Sequence, residues 1–369
     1  MAIGLYLHIP FCVSKCPYCD FYSLTGSTDA DRDAYVQALL RAMAVWAERT
    51  GEIADTLYFG GGTPSLLGGA RLATLIAAAR QQFALTDDAE ITLEANPADG
   101  LDEVFAAFAA AGGNRVSLGM QASTDEQLRL LGRRHTAAQV ETAVTAARKV
   151  GIDNLSLDLM LGTSEQTPAD VEQMVTRCTQ LGASHVSAYL LKLEPNTPYA
   201  ATPPPLPDEE ATVALYHTAA TALESAGYRQ YEISNFARDG KYSRHNLKYW
   251  NLDPYIGLGP AAHSFYGGRR FYYPRSLTSF MAGEPPLAEG DDEAIVENSP
   301  EEYAMLRLRL TEGLTEQGFA ARFGYAIPSR MRQRAAALPS SLVITDEKGI
   351  RLTRDGFLVS DAILAQLLL

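Results

Sequence analysis

The run His8-Ile9-Pro10-Phe11-Cys12-Val13-Ser14-Lys15-Cys16-Pro17-Tyr18-Cys19-Asp20-Phe21 decides how this chain is read. It sets Cys12, Cys16 and Cys19 at C-x3-C-x2-C spacing, directly after an apolar stretch, Leu5–Ile9, that reads as a strand. Three thiolates on one tight loop can hold three irons of a [4Fe-4S] cube. The fourth iron then lacks a protein ligand and is open to a substrate or cofactor. The competing reading is a zinc ion held by the three thiolates and His8. Zinc sites usually draw on two separated ligand pairs, and this sequence offers no second pair. Cys178, the remaining cysteine, lies in a helical stretch and reads as a small buried hydrophobe.

Outward from this loop, short apolar runs alternate with helical patterns. The runs are Leu5–Ile9, Thr56–Phe59, Ile91–Glu94, Arg115–Leu118, Leu155–Leu159 and Val186–Leu190. The helical patterns cover Arg32–Ala47, Ala70–Phe83, Leu101–Ala111, Asp125–Leu131, Ala137–Val150 and Pro168–Leu181, with Asp125 and Asp170 in first turns. Such alternation predicts an α/β fold of parallel βα units. Six units make either an open, partial (β/α)6 barrel or a doubly wound sheet. In a barrel the working residues stand just after the strands.

The pattern predicts two domains, a barrel over 1–237 and a smaller, mainly helical domain over 238–369. Glu194 to Pro207 holds six prolines and reads as a stiff linker or cover loop. Asp208 caps a helix to about Ala226, and Tyr228–Phe236 reads as a further strand. Beyond Arg238 come aromatic and glycine-rich loops, then helices. Near the end, Leu342–Thr345, Ile350–Leu352 and Phe357–Val359, with turns at Lys348-Gly349 and Asp355-Gly356, give a winged-helix-like hairpin signal.

Composition narrows the class. With 369 residues and 47% hydrophobic content the chain can bury a large core. A net charge of −13 argues against nucleic-acid binding through a broad surface. Pairs such as Arg133-Arg134 and Arg269-Arg270 leave room for a local basic patch or simply a solvated face. No apolar run reaches membrane-spanning length, so no stable membrane insertion is expected. The first strand begins at Leu5 with no leader-like segment before it, and the expectation is a cytoplasmic protein.

Several polar residues fall at the strand ends. Gly60-Gly61-Gly62-Thr63-Pro64 lets backbone approach a ligand, though a tight turn explains it as well. Glu94 can accept ribose hydroxyls. Gln121, Arg133 and Asp158 are further candidates; Arg133 and Asp158 could equally form an ion pair, since a charge in a buried strand needs a partner. Arg244-His245-Asn246-Leu247-Lys248-Tyr249-Trp250 offers an imidazole for heme iron and flat apolar rings for a porphyrin. Lys241, Arg244 and Lys248 could pair with propionates. The plainer alternative has His245 and Asn246 making loop hydrogen bonds while Tyr249 and Trp250 fill the core. His263 is a candidate second axial ligand; His185 and His217 read as ordinary partly buried residues.

The cysteine loop resembles that of radical S-adenosylmethionine (SAM) proteins. With GGGTPS and the ordered residues Tyr6, Gly61, Gly62, Thr63, Glu94, Gln121, Arg133 and Asp158, the chain from Leu5 to Phe265 resembles the oxygen-independent coproporphyrinogen III dehydrogenase family. The resemblance implies the partial barrel, a [4Fe-4S] cluster on Cys12, Cys16 and Cys19, and SAM on the open iron held by those residues. Dehydrogenases of the family carry a further cysteine where this chain has Phe21, and a longer N-terminal extension. The H-N-x-x-Y-W run fits the family's heme-chaperone branch. That branch implies heme near His245, passed to apo-hemoproteins of respiration, and leaves both a homodimer and the need for SAM cleavage open. The alternative is a true dehydrogenase that uses a SAM-derived radical to decarboxylate propionates.

Overall fold

All six apolar runs become parallel strands in the computed structural model, which describes residues 2–97, 100–288 and 296–368. They are β1 (Ile3–Ile9), β2 (Ala54–Gly61), β3 (Glu90–Ala95), β4 (Arg115–Gln121), β5 (Asn154–Leu161) and β6 (His185–Leu190), paired in that order. One face of each carries core residues such as Leu5, Leu57, Leu93, Leu118 and Leu157, which pack under helices. The intervening helices start where short polar side chains stop the extended chain. Thr28 with Asp31, Thr136 with Gln139 and Thr167 with Asp170 each form a reciprocal capping box. Cys178 is fully buried in the helix Pro168–Gln180, and burial pushes its thiol up to about 12, which makes it inert.

The sheet does not end at residue 237. Tyr255–Leu258 runs parallel to β1 on its free side, and His263–Tyr266, Arg269–Tyr272 and Leu287–Ala288 extend it antiparallel. Ile256, Leu258, Tyr273 and Phe280 join the barrel core. The boundary expected at 237/238 therefore lies inside one core. Composition hid this because these strands are short and lie among glycines and prolines. A second core gathers Leu252, Tyr255 and Phe265 with Ala304, Leu308, Phe319, Ile350 and Leu367.

Two further expectations change. Tyr228–Phe236 is not one strand but two short antiparallel pieces, Arg229–Gln230 and Asn235–Ala237, joined by a turn that buries Glu232. In the tail, Val343–Asp346 and Gly349–Leu352 form the hairpin, but its third strand is Leu314–Thr315. Phe357 and Leu358 belong to the helix Arg354–Leu358, because the Thr353 hydroxyl accepts from the Gly356 amide and caps a helix there. The proline-rich stretch closes over the cysteine loop: Thr197 caps the helix Pro198–Ala201, and the Tyr199 amide donates to the Pro17 carbonyl at 3.1 Å. Among the described residues no helix is long and apolar enough to cross a membrane.

Candidate cofactor site at the strand ends

Backbone pairing brings the cysteine loop against the glycine run. Phe11–Cys12 pairs with Leu24–Thr25, the Gly62 amide donates to the Ile9 carbonyl at 2.9 Å, and the Thr63 amide donates to the Phe11 carbonyl at 2.8 Å. Cys12, Cys16 and Cys19 are unpaired and half-buried. A hydrogen-bonded chain then spans the loop. Cys12 Sγ lies 3.5 Å from Thr63 Oγ1, which accepts from Asn96 Nδ2 at 2.9 Å. Asn96 Oδ1 accepts from Arg133 Nη2 at 2.5 Å, and Arg133 Nη1 reaches Cys16 Sγ at 3.4 Å. The guanidinium thus sets a positive charge and a donor beside one sulfur of the loop. Burial pushes the Cys19 thiol up, and the neighbouring sulfurs add to the rise.

His8 is not available as a zinc ligand. Its Nδ1 meets the Tyr6 hydroxyl at 3.1 Å, its Nε2 meets the Tyr22 carbonyl at 2.8 Å, and the ring is 4% exposed. Among the described residues no three His, Cys, Asp or Glu side chains converge on one ion. A cube needs no such convergence, because each thiolate binds a different iron. The surroundings fit a bound group. A Cβ on Gly62 would stand 2.9 Å from Cys12 Sγ, and one on Gly61, at φ 116°, would stand 2.7 Å from the His8 ring. Gln121 takes a left-handed backbone at φ 65°, and its buried Oε1 has no hydrogen-bond partner. A ligand amino group would supply the missing donor.

Deeper in the barrel, Glu94 accepts from the Tyr58 hydroxyl at 2.8 Å and the Gly61 amide at 3.2 Å. Burial pushes its carboxyl up to about 7, and the Asp158 charge adds to this. Asp158 accepts from Ser117 at 3.1 Å and is also raised, chiefly by burial. The alternative of an Arg133–Asp158 ion pair does not hold: Arg133 faces sulfur and Asn96, while Asp158 sits among serines. Asn96, Tyr58 and the buried Arg115 escaped the sequence reading. Asn96 stands two residues beyond Glu94, before a proline, and its position just after a strand was the available signal.

His245 lies at the opposite end of the strands. It belongs to the helix Arg244–Asn251, which Ser243 caps and whose first amides donate to Glu90, each at 3.0 Å. The imidazole is fully buried. Its Nδ1 meets Thr56 Oγ1 at 2.8 Å and its Nε2 meets the Tyr249 hydroxyl at 2.7 Å. Burial pushes it down to about 3, so it is neutral. Both ring nitrogens are engaged within the protein, the arrangement that the packing alternative describes. Lys248 is also committed, to Asp55 at 2.8 Å and the Ala2 carbonyl at 2.9 Å. Arg244 donates to the Asp88 carbonyl, and Trp250 lies under Arg309 at 4.3 Å. Lys241 is exposed. His263 stacks on Tyr272 on an outer strand.

Comparison with known proteins follows from this geometry. The radical SAM superfamily matches residues 6–178, and the HemN C-terminal domain matches residues 297–359. Heme chaperone HemW of Escherichia coli K12 is 38% identical over 330 residues, covering 87% of this chain and 86% of that protein. Heme chaperone HemW of Bacillus subtilis 168 is 33% identical, with 97% of each chain covered. The chain belongs to the HemW family. A mouse relative, the mitochondrial radical S-adenosyl methionine domain-containing protein 1, is 33% identical across 99% of this chain and 87% of its own. The solved coproporphyrinogen III oxidase HemN of Escherichia coli superposes with a TM-score of 0.84, covering 100% of this chain and 90% of that one. At 22% identity it shows a common fold. Phe21, two residues after Cys19, is 65% exposed.

Proposed function

We propose that this chain is a cytoplasmic heme chaperone that carries a [4Fe-4S] cluster on Cys12, Cys16 and Cys19, binds SAM, and hands heme to apo-hemoproteins of respiration. Its near full-length identity to heme chaperones carries the reading, and the thiol loop bracketed by Arg133, Asn96 and Thr63 supports it. When bound, the cluster and SAM together supply one-electron reductive chemistry. Gln121 Oε1 and the Gly61–Thr63 backbone would hold the amino acid end of SAM. Glu94 would accept ribose hydroxyls, while Tyr6 and Asp158 line the same site. Arg133 would hold a positive charge beside Cys16 Sγ and tie it to Asn96. In this arrangement Thr56 and Tyr249 hold both nitrogens of His245.

Hydroxyl donors bind an ionised Glu94 more strongly than a protonated one. With its carboxyl at about 7, SAM affinity rises roughly tenfold between about pH 6 and pH 8. Glu94→Gln flattens that slope. Isothermal titration at the two pH values checks both, and an unchanged slope in the variant removes Glu94 from the site. The same shift acts on stability with opposite sense: the raised folded value costs stability as pH climbs from the unfolded carboxyl range to about 7.

The function is tested with anaerobically reconstituted protein. Heme uptake, read by absorption, followed by transfer to an apo-hemoprotein is the expected result. Conversion of coproporphyrinogen III with SAM and a reductant, without heme uptake, replaces the chaperone reading with the dehydrogenase one.

A further inference from the structure

The H-N-x-x-Y-W helix touches both cores, and its histidine connects to the strand-end site. Thr56 and Glu90 stand side by side at the starts of β2 and β3, and they receive His245 Nδ1 and the helix's first amides. Gly4 on β1 makes room for the helix, since a Cβ there would lie 2.9 Å from Lys248 Cδ and 3.2 Å from the His245 ring. The imidazole is one corner of an aromatic triad. The Tyr58 ring stacks on His245 at 5.1 Å and 28°, the Tyr6 ring stacks on Tyr58 at 6.1 Å and 29°, and Tyr6 also faces His245 at 6.3 Å and 28°. Gly60 makes room for the triad: a Cβ there would stand 2.8 Å from Tyr6 and 3.0 Å from Tyr58.

Two hydrogen-bonded routes leave this triad toward the cofactor residues. The Tyr58 hydroxyl donates to Glu94, whose other oxygen receives the Gly61 amide. The Tyr6 hydroxyl meets His8, which in turn reaches the Tyr22 carbonyl just beyond Cys19. On its other side the helix places Tyr249 against Tyr255 at 4.6 Å and Trp250 under Arg309. We propose that His245 is a positioning residue of the SAM site, setting Tyr58 and Tyr6 and through them Glu94 and the cysteine loop. The heme-associated motif then acts on SAM binding from beneath the barrel. This inference rests on the SAM site of the proposed function.

The test measures SAM affinity by isothermal titration, together with the electron paramagnetic resonance spectrum of the reduced cluster with and without SAM. It uses the reconstituted full chain and His245→Ala, His245→Asn, Tyr58→Phe and the double variant. Leu367→Ala, which opens the second core, serves as a control for general destabilisation. His245→Ala is expected to weaken SAM about tenfold and to reduce the SAM-induced spectral change. His245→Asn, which can still pair with Thr56, recovers part of the loss. The double variant loses less than the sum of the single losses, because both act through Glu94. If His245→Ala does not fold, Thr56→Val and Tyr249→Phe each remove one partner of the ring and take its place. Unchanged SAM affinity, or a loss matched by Leu367→Ala, overturns the inference and leaves the chaperone reading standing. The expected SAM pattern in a protein that moves no heme supports the inference and overturns the chaperone reading.

Discussion

Cys12→Ala, Cys16→Ala and Cys19→Ala each strip the reconstituted protein of its cluster, taking iron from ~4 per chain to well below 1. The size of the effect follows from ligand number. Only three thiols stand on this loop; Cys178 is buried in a distant helix and cannot substitute. Losing one ligand leaves two sulfurs to hold a cube. Arg133→Met should act more weakly, because it keeps every ligand and removes only the guanidinium at 3.4 Å from Cys16 Sγ. It also releases Asn96 and hence Thr63, so the loop loosens at Cys12 too. Iron and sulfide analysis with the visible absorption band measures both. Full iron content in any cysteine variant sinks the three-ligand assignment. Iron at one per chain in the native protein, with no sulfide, revives the zinc-like reading.

Glu232→Ala destabilises the chain by roughly 2–4 kcal/mol. The carboxylate is fully buried. One oxygen accepts from Arg309 Nε at 2.8 Å, and the other accepts from the Ser234 amide and Asn235 Nδ2, both at 2.7 Å. Removing it leaves buried donors without an acceptor, the costly half of breaking such a pair. The estimate sits below that for a fully buried pair because the Arg309 side chain is 32% exposed. The site also joins the two cores: the Ile233 amide donates to the Arg309 carbonyl at 3.2 Å, Glu232 bridges to Leu310, and Arg309 covers Trp250. Urea unfolding followed by tryptophan fluorescence should show a lower midpoint and an earlier change around Trp250, one of two tryptophans. Glu232→Gln keeps an acceptor and should cost less. An unchanged midpoint for Glu232→Ala removes the buried pair as a source of stability.

The strand-end residues were legible in sequence because a parallel βα unit leaves its polar residues where the strand stops. Gly61, Glu94 and Gln121 could be placed from their own neighbours. Asn96 could not, since its importance lies in Thr63 and Arg133, which are distant in sequence. Residues 255–258 look like loop in sequence because four residues beside proline and glycine carry too little periodicity to mark a strand. Only the free side of β1 makes them one. Phe357 looks like strand in sequence because the helix there depends on a single capping hydroxyl.

The three-thiol loop and the succession of βα units are legible in sequence because both are written in local spacing and local apolar runs. What surrounds His245, by contrast, comes from packing across the barrel and not from local spacing. An imidazole in an H-N-x-x-Y-W helix is equally suited to iron or to the core. The choice depends on whether its nitrogens find partners, and those partners, Thr56 and Tyr249, are assembled only when the helix packs across the starts of the strands.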